Sequence, residues 1–193
     1  LFRSIKWLEP GRGFLSAVSI FDNKILAIGG QTTPLDPNSI VNNVDLYEPA
    51  LDKWVPSVAL PLRLDRMASA VTKTGQLVFV TGGIFAQSGA VSKKCLVFDI
   101  RTSKWNSLPN LQQPCFGHAA VMDADGHRLF LMGGLTNETK TVVEEFDLRN
   151  PKWRTVNPLS EPRDGLSAVL APDGLIYAVG GGSKKQLNVT ILD

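Results

Sequence analysis

The sequence predicts an all-β protein assembled from four copies of one structural unit, and three observations carry that prediction. An apolar run ending in a glycine pair recurs at Gly29-Gly30, Gly82-Gly83, Gly133-Gly134 and Gly180-Gly181, at intervals of 53, 51 and 47 residues. Each pair is preceded by two apolar runs of strand length joined by a turn signal. Downstream, an aromatic residue is followed seven residues later by tryptophan: Tyr47 and Trp54, Phe98 and Trp105, Phe146 and Trp153. A period near 50 residues marks a repeat architecture and must be recognised before any local motif is read.

The first two runs of each unit read as a β-hairpin. They are "SAVSIF" and "KILAI" around Asp22-Asn23, "MASAVT" and "QLVFV" through Thr74-Gly75, "HAAVM" and "RLFLM" through "DADGH", and "LSAVLA" and "LIYAV" through "PDG". After the glycines comes a loop of variable length and then a third strand: "VDLYE", "CLVFD" or "EEFDL". The fourth strand carries the tryptophan. A constant aromatic-to-tryptophan spacing beside variable loops is structural, because the turn must present both rings to one fixed surface. Helical periodicity is nowhere sustained, and 12 prolines and 17 glycines punctuate the chain.

Composition narrows the function classes. The 193 residues, 44% hydrophobic, suffice for one compact domain. A net charge of +2, with only the short pairs Lys93-Lys94 and Lys184-Lys185, gives no basic tract for nucleic acid or an anionic membrane. No apolar run approaches the roughly 20 residues of a membrane span. Cys95 and Cys115 make neither a zinc spacing nor a disulfide scaffold, and read as free thiols in an intracellular, cytoplasmic setting. Two glycosylation-type triplets, at Asn137 and Asn188, weigh little against this. The chain opens on Leu1 rather than Met, as a processed product or a piece of a longer polypeptide does.

An apolar strand ending in Gly-Gly, then Tyr or Phe followed by an acidic residue, then Trp, resembles the kelch repeat. The resemblance covers essentially the whole chain and is fullest from Phe146 to Gly181. It implies a β-propeller of four kelch-type, four-stranded antiparallel blades. The repeats fall at residues 11–57, 58–108, 109–157 and 158–193 plus 4–8. Stacked blades would bury Trp54, Trp105 and Trp153 between neighbours. The glycine pairs then serve packing rather than phosphate binding, since no helix follows to offer its N-terminus.

Trp7 in "SIKWLEP" is read as a fourth-strand tryptophan, and Leu192-Asp193 as the end of a third strand. The N-terminal strand is therefore expected to complete the last blade. The alternative is an arc of a larger, six-bladed propeller.

For function, the resemblance implies a non-enzymatic protein-interaction module or scaffold. The contexts are a ubiquitin-ligase adaptor, an actin-associated scaffold or a subunit of a larger assembly. Labelling the strands of a blade a to d outward from the axis, the b–c and d–a loops share one face and are the long ones here. They include residues 31–43, from Gln31, and 84–94, with Gln87. Many kelch propellers aim an Arg from the d–a loop into the cavity to grip an acidic partner segment. Arg12 and Arg163 match that position, five residues before the Ala-Val of strand a. Asp65 and Cys115 are expected there in the other repeats, with Arg63 and Arg66 flanking Asp65. Guanidinium groups suit carboxylates. The alternative function is a propeller that binds or isomerises an acidic sugar with the same arginines.

No cofactor or metal is expected. Copper radical oxidases need two Tyr and two His ligands. Here Tyr47 and Tyr177 are framework residues, and His118 and His127 belong to opposite faces. His118 reads as a structural histidine at a strand start. Glu144 and Glu145 are adjacent on a strand and face opposite sides.

Overall fold

The structure is a computed structural model that describes residues 4–138, 140–182 and 189–192. Thr139, Lys184, Lys185, Asn188 and Asp193 lie outside the described residues. Described residues form β-strands, turns and two short 3₁₀ turns. The first blade is β1 (Ser16–Ser19), β2 (Ile25–Ile28), β3 (Val44–Glu48) and β4 (Lys53–Pro56), paired antiparallel in that order. The next stretch gives β5 (Leu64–Asp65), β6 (Ala68–Val71), β7 (Leu77–Thr81), β8 (Ile84–Phe85), β9 (Cys95–Asp99) and β10 (Lys104–Leu108). Of these, β6, β7, β9 and β10 form the second blade, and β5 pairs with β8 in a two-stranded ribbon on its loop side. The third blade is β11 (Ala119–Met122), β12 (Arg128–Met132), β13 (Val143–Asp147) and β14 (Lys152–Val156). Among the described residues the last sheet has three strands: β15 (Asp164–Leu170), β16 (Ile176–Gly182) and β17 (Val189–Leu192).

The repeat spacing is visible in the registers. Tyr47 stands opposite Trp54, Phe98 opposite Trp105, and Phe146 opposite Trp153, with ring centroids 5.3, 4.8 and 4.9 Å apart. Leu192 stands opposite Ile176, the place of the framework aromatic in the other blades. Trp153 is buried at 5% exposure, whereas Trp54 and Trp105 are only half-buried, less than full interblade burial would give.

Alternation along each strand sends two apolar faces outward, and neighbouring blades bury them against each other. Leu26 and Ile28 meet Val78 and Val80 in the first seam; Phe79 meets Leu129 and Leu131 in the second; Met132 meets Ile176 and Ala178 in the third. Residues of all four inner strands, Val18, Ser69, Ala120 and Ala168 among them, line one axial cavity of about 550 Å³.

Among the described residues, 4–8 do not complete the last blade as expected. Residues 4–8 make no strand, and Trp7 is 83% exposed. Instead Lys6 lies on the first blade. Its N–H donates to Asp52 Oδ1 (3.1 Å), and its carbonyl accepts from Trp54 Nε1 (2.9 Å). Trp105 donates likewise to Val58 O (3.0 Å) and Trp153 to Pro109 O (2.8 Å). Lys6 therefore holds the place of Val58 and Pro109, four residues beyond the fourth-strand tryptophan. Trp7 is therefore a linker residue rather than the fourth-strand tryptophan.

Candidate functional site: the loop rim and its arginines

The glycine pairs fasten the loop rim to the blades. The second glycine of each of the first three pairs donates its N–H to the d–a loop of the next blade: Gly30 to Leu64 O (3.1 Å), Gly83 to Cys115 O (2.8 Å) and Gly134 to Arg163 O (2.7 Å). A Cβ on Gly82 would lie 2.3 Å from Cys115 O, and one on Gly133 2.4 Å from Arg163 O. Only glycine permits that approach, and both residues have positive φ, at 62° and 67°. One residue beyond the glycines, the chain bridges back to its own d–a loop, at Gly13 with Gln31 and at Phe116 with Leu135.

This register places the expected arginine position. Leu64, Cys115 and Arg163 are equivalent, and Arg12 stands at the same distance beyond Lys6. In the second repeat the position is thus Leu64 rather than Asp65. The Ala-Val signal misled by one residue, because Ser69 rather than Ala70 is the equivalent of Ala17: Ser69 pairs with Val80 as Ala17 pairs with Ala27, each partner two residues before its glycine pair.

Neither Arg12 nor Arg163 lines the cavity of about 550 Å³. The Arg12 side chain is 1% exposed; its Nη2 lies 2.7 Å from Asp45 Oδ2 and 3.4 Å from Ala27 O. Arg163 is 1% exposed and its Nη1 donates to Gly180 O at 2.7 Å. Both guanidinium groups tie a d–a loop to its own blade. The sugar-binding alternative relied on these two groups, and both make bonds to their own blades.

Arg63 and Arg66 are at the rim. Arg63 donates from Nε to Ile40 O and from Nη2 to Asn38 O, both at 2.6 Å, so the second blade's loop clamps the first blade's residues 31–43. That loop is also pinned internally. Asp36 caps the 3₁₀ turn Pro37–Ser39 by accepting from Asn38 N, and Ser39 Oγ donates to Thr33 O. Arg66 stacks over the Phe14 ring at 4.2 Å and pairs with Asp65 at 3.2 Å. Asp65 is fully buried, and desolvation pushes its carboxyl up while Arg66 pulls it back. Gln31 is buried at 3% exposure, and Gln87 is exposed in its loop.

The remaining titratable groups serve packing. His118 is 5% exposed, with Nε2 2.8 Å from Thr81 Oγ1; burial, helped by Lys140, brings its pKa down to about 4, so the ring is neutral. Burial pushes the Cys95 and Cys115 thiols up to about 12, far from a reactive thiolate. Glu144 Oε2 accepts from Gln112 N (3.1 Å), and burial raises its pKa; Glu145 pairs with Arg154 at 2.9 Å across the strand. Among the described residues no cluster of three or more His, Cys, Asp or Glu is placed to hold a metal ion. No helix of described residues is long and apolar enough to cross a membrane.

Four-stranded blades stacked about an axis, with loops fastened along one rim, define a β-propeller-type repeat protein. Residues 68–192 match the family model of the KLHDC2/KLHL20/DRC7 Kelch-repeats domain, and residues 12–58 match the Kelch motif. The chain belongs to the kelch-repeat family. It is similar to beta-scruin of Limulus polyphemus, 34% identical over 61% of this chain and 13% of that protein. Alpha-scruin of the same organism is 28% identical over 61% and 12%, and Kelch-like protein 25 of Xenopus tropicalis 30% identical over 61% and 20%. The chain thus spans a fifth or less of the length of these relatives.

Proposed function

We propose that this chain is a non-enzymatic protein-interaction module that presents partners with the rim of b–c and d–a loops. The observation that supports this reading best is the clamp of Arg63 on residues 31–43. A long loop held by side chains dedicated to it is a preformed binding element on a rigid scaffold. Arg66, backed by Phe14, is the rim cation that suits an acidic partner segment. Gln87, exposed in its loop, is a further polar contact, whereas Gln31 is buried beneath the rim. Kelch relatives are in keeping with a ubiquitin-ligase adaptor, an actin-associated scaffold or an assembly subunit, and the partner that the rim captures chooses among them.

The test is quantitative capture. The wild-type protein is compared with Arg66→Glu and with a variant in which residues 31–43 are shortened, all three shown to be folded by their melting curves. Both variants are expected to lose the same partners. An unchanged partner set in both folded variants would contradict the rim as the binding surface.

A further inference from the structure

The outermost strands of the first three blades, β4, β10 and β14, each end a sheet, with a partner strand on one side only among the described residues. Their registers make Trp54, Trp105 and Trp153 equivalent, so equivalent residues of each strand turn their main-chain groups away from the blade. Two observations give the phase. Ser57 N donates inward to Val44 O (2.8 Å), whereas Trp153 O accepts from Gln112 Nε2 (3.2 Å), which reaches it from the loop before the blade. Alternation then sends outward the main-chain groups of Trp54 and Pro56, of Trp105 and Ser107, and of Trp153 and Thr155.

An open row of main-chain donors and acceptors invites another strand, and folded proteins guard such edges. Two of these three edges are guarded. In β4 one outward residue is Pro56, which has no N–H to offer. In β14 Gln112 engages both outward residues: its Nε2 holds Trp153 O, and its Oε1 accepts from Thr155 Oγ1 (2.8 Å). The middle of β14 also carries Arg154, whose side chain is 64% exposed. Among the described residues nothing guards β10. It has Ser107 in the place of Pro56 and the uncharged Asn106 in the place of Arg154. Pro61, three residues before Leu64 as Gln112 is before Cys115, has no amide with which to cover it.

We propose that the β10 edge joins two copies of this chain, as an antiparallel two-fold pair centred on Asn106. The register is self-complementary. Trp105 and the partner's Ser107 exchange both main-chain bonds, and symmetry repeats the exchange, so every outward donor and acceptor of these residues is used. At the centre Asn106 meets the partner's Asn106, and each side-chain amide offers the donor and the acceptor that the other needs. Lys104 lies opposite the partner's Leu108, so no like charges face each other. The same pairing through β14 would set Arg154 against its own copy, which destabilises a sheet. A two-fold contact presents the same residues from both sides, and of the three edges β10 alone accepts that arrangement. The contact is small, so the dimer is weak and forms with rising concentration. It does not rest on the loop rim as the surface for other partners.

Sedimentation of the whole chain at rising concentration, up to about 1 mM, should show a monomer–dimer equilibrium. Asn106→Arg copies the residue that β14 has at this position. Ser107→Pro copies Pro56 of β4 and removes an N–H that the blade itself does not use. Both variants should keep the melting temperature and sediment as monomers. Cysteine cross-linking then reads the register. Asn106→Cys should give a covalent dimer under mild oxidation, because directly opposite residues of a non-hydrogen-bonded pair have Cα atoms about 4.5 Å apart, within disulfide reach. Lys104→Cys, exposed on the same face two residues away, should stay monomeric. A chain that remains monomeric at the highest concentration, a dimer that survives Asn106→Arg in the folded protein, or equal cross-linking by the two cysteine variants would overturn the proposal.

Discussion

The inner part of the first three seams and the outward face of the last blade are made from the same sequence pattern, and they differ in what meets it. In the seams, the glycine pair receives the next blade's loop: Gly29, Gly82 and Gly133 each have a loop carbonyl within 2.7 Å of where a Cβ would stand. At Gly180, φ is also positive, at 70°, yet among the described residues nothing lies within 4 Å of where a Cβ would stand. The strand residues repeat the contrast. Ile28, Thr81 and Met132, which precede the first three glycine pairs, are fully buried, while Val179 is 43% exposed and its neighbour Val169 53%. The glycine pair is therefore a receptor for a neighbouring blade, and its backbone shape persists where no neighbour sits.

The largest expected effect separates the buried indole from the half-buried ones. Trp153→Ala should cost about 3–5 kcal/mol, as truncation of a buried aromatic does. Trp105→Ala, with part of its ring already in water, should cost roughly half as much. Chemical denaturation measures both, and equal costs would show that the second and first seams are packed alike.

The glycines sharpen the comparison next. Gly82→Ala combines left-handed strain with a clash against Cys115 O, whereas Gly180→Ala carries only the strain, about 1–2 kcal/mol. The excess loss of stability in Gly82→Ala reports the contact with the next blade. Equal losses would mean that the outward face is as crowded as a seam.

A pH effect of similar size belongs to His118 in the second seam. Its folded pKa of about 4 lies below the ordinary histidine value of 6.5, so the unfolded chain binds more protons between those values. The stabilisation is complete above pH 6.5 and is lost as pH falls through 4, by an amount on the order of 3 kcal/mol. His118→Gln should flatten the stability profile over that window. The smallest effect is at the rim: Arg63→Ala removes two hydrogen bonds to residues 31–43 and should cost about 1–2 kcal/mol or less. Proteolysis within that loop should quicken while the melting temperature barely moves.

How much of this was legible in the sequence follows the range of the interactions. The hairpins, the glycine pairs and the seven-residue aromatic interval are local and repeated, so strands, order and family could be read from residue type and spacing. The N-terminus carried its signal too. Trp54, Trp105 and Trp153 each stand ten residues before Leu64, Cys115 and Arg163, whereas Trp7 stands five before Arg12. Spacing to the next loop, rather than the presence of an indole, marks the fourth strand. The fate of the arginines was not legible, because their partners come from elsewhere in the chain. Asp45 and Ala27 for Arg12, and Gly180 for Arg163, adjoin them only once the blades form. The Arg63 clamp was hidden likewise, since carbonyl acceptors have no signature in side-chain type.

Amide hydrogen exchange at the second glycine of each pair tests the central claim most directly. Gly30, Gly83 and Gly134 donate to the loop of the following blade, and among the described residues Gly181 makes no such bond. The three seam amides should exchange only with global or large sub-global opening, while Gly181 exchanges orders of magnitude faster. Equal protection of all four amides would show that the last blade's face is sealed in solution and would contradict the distinction between seams and open end.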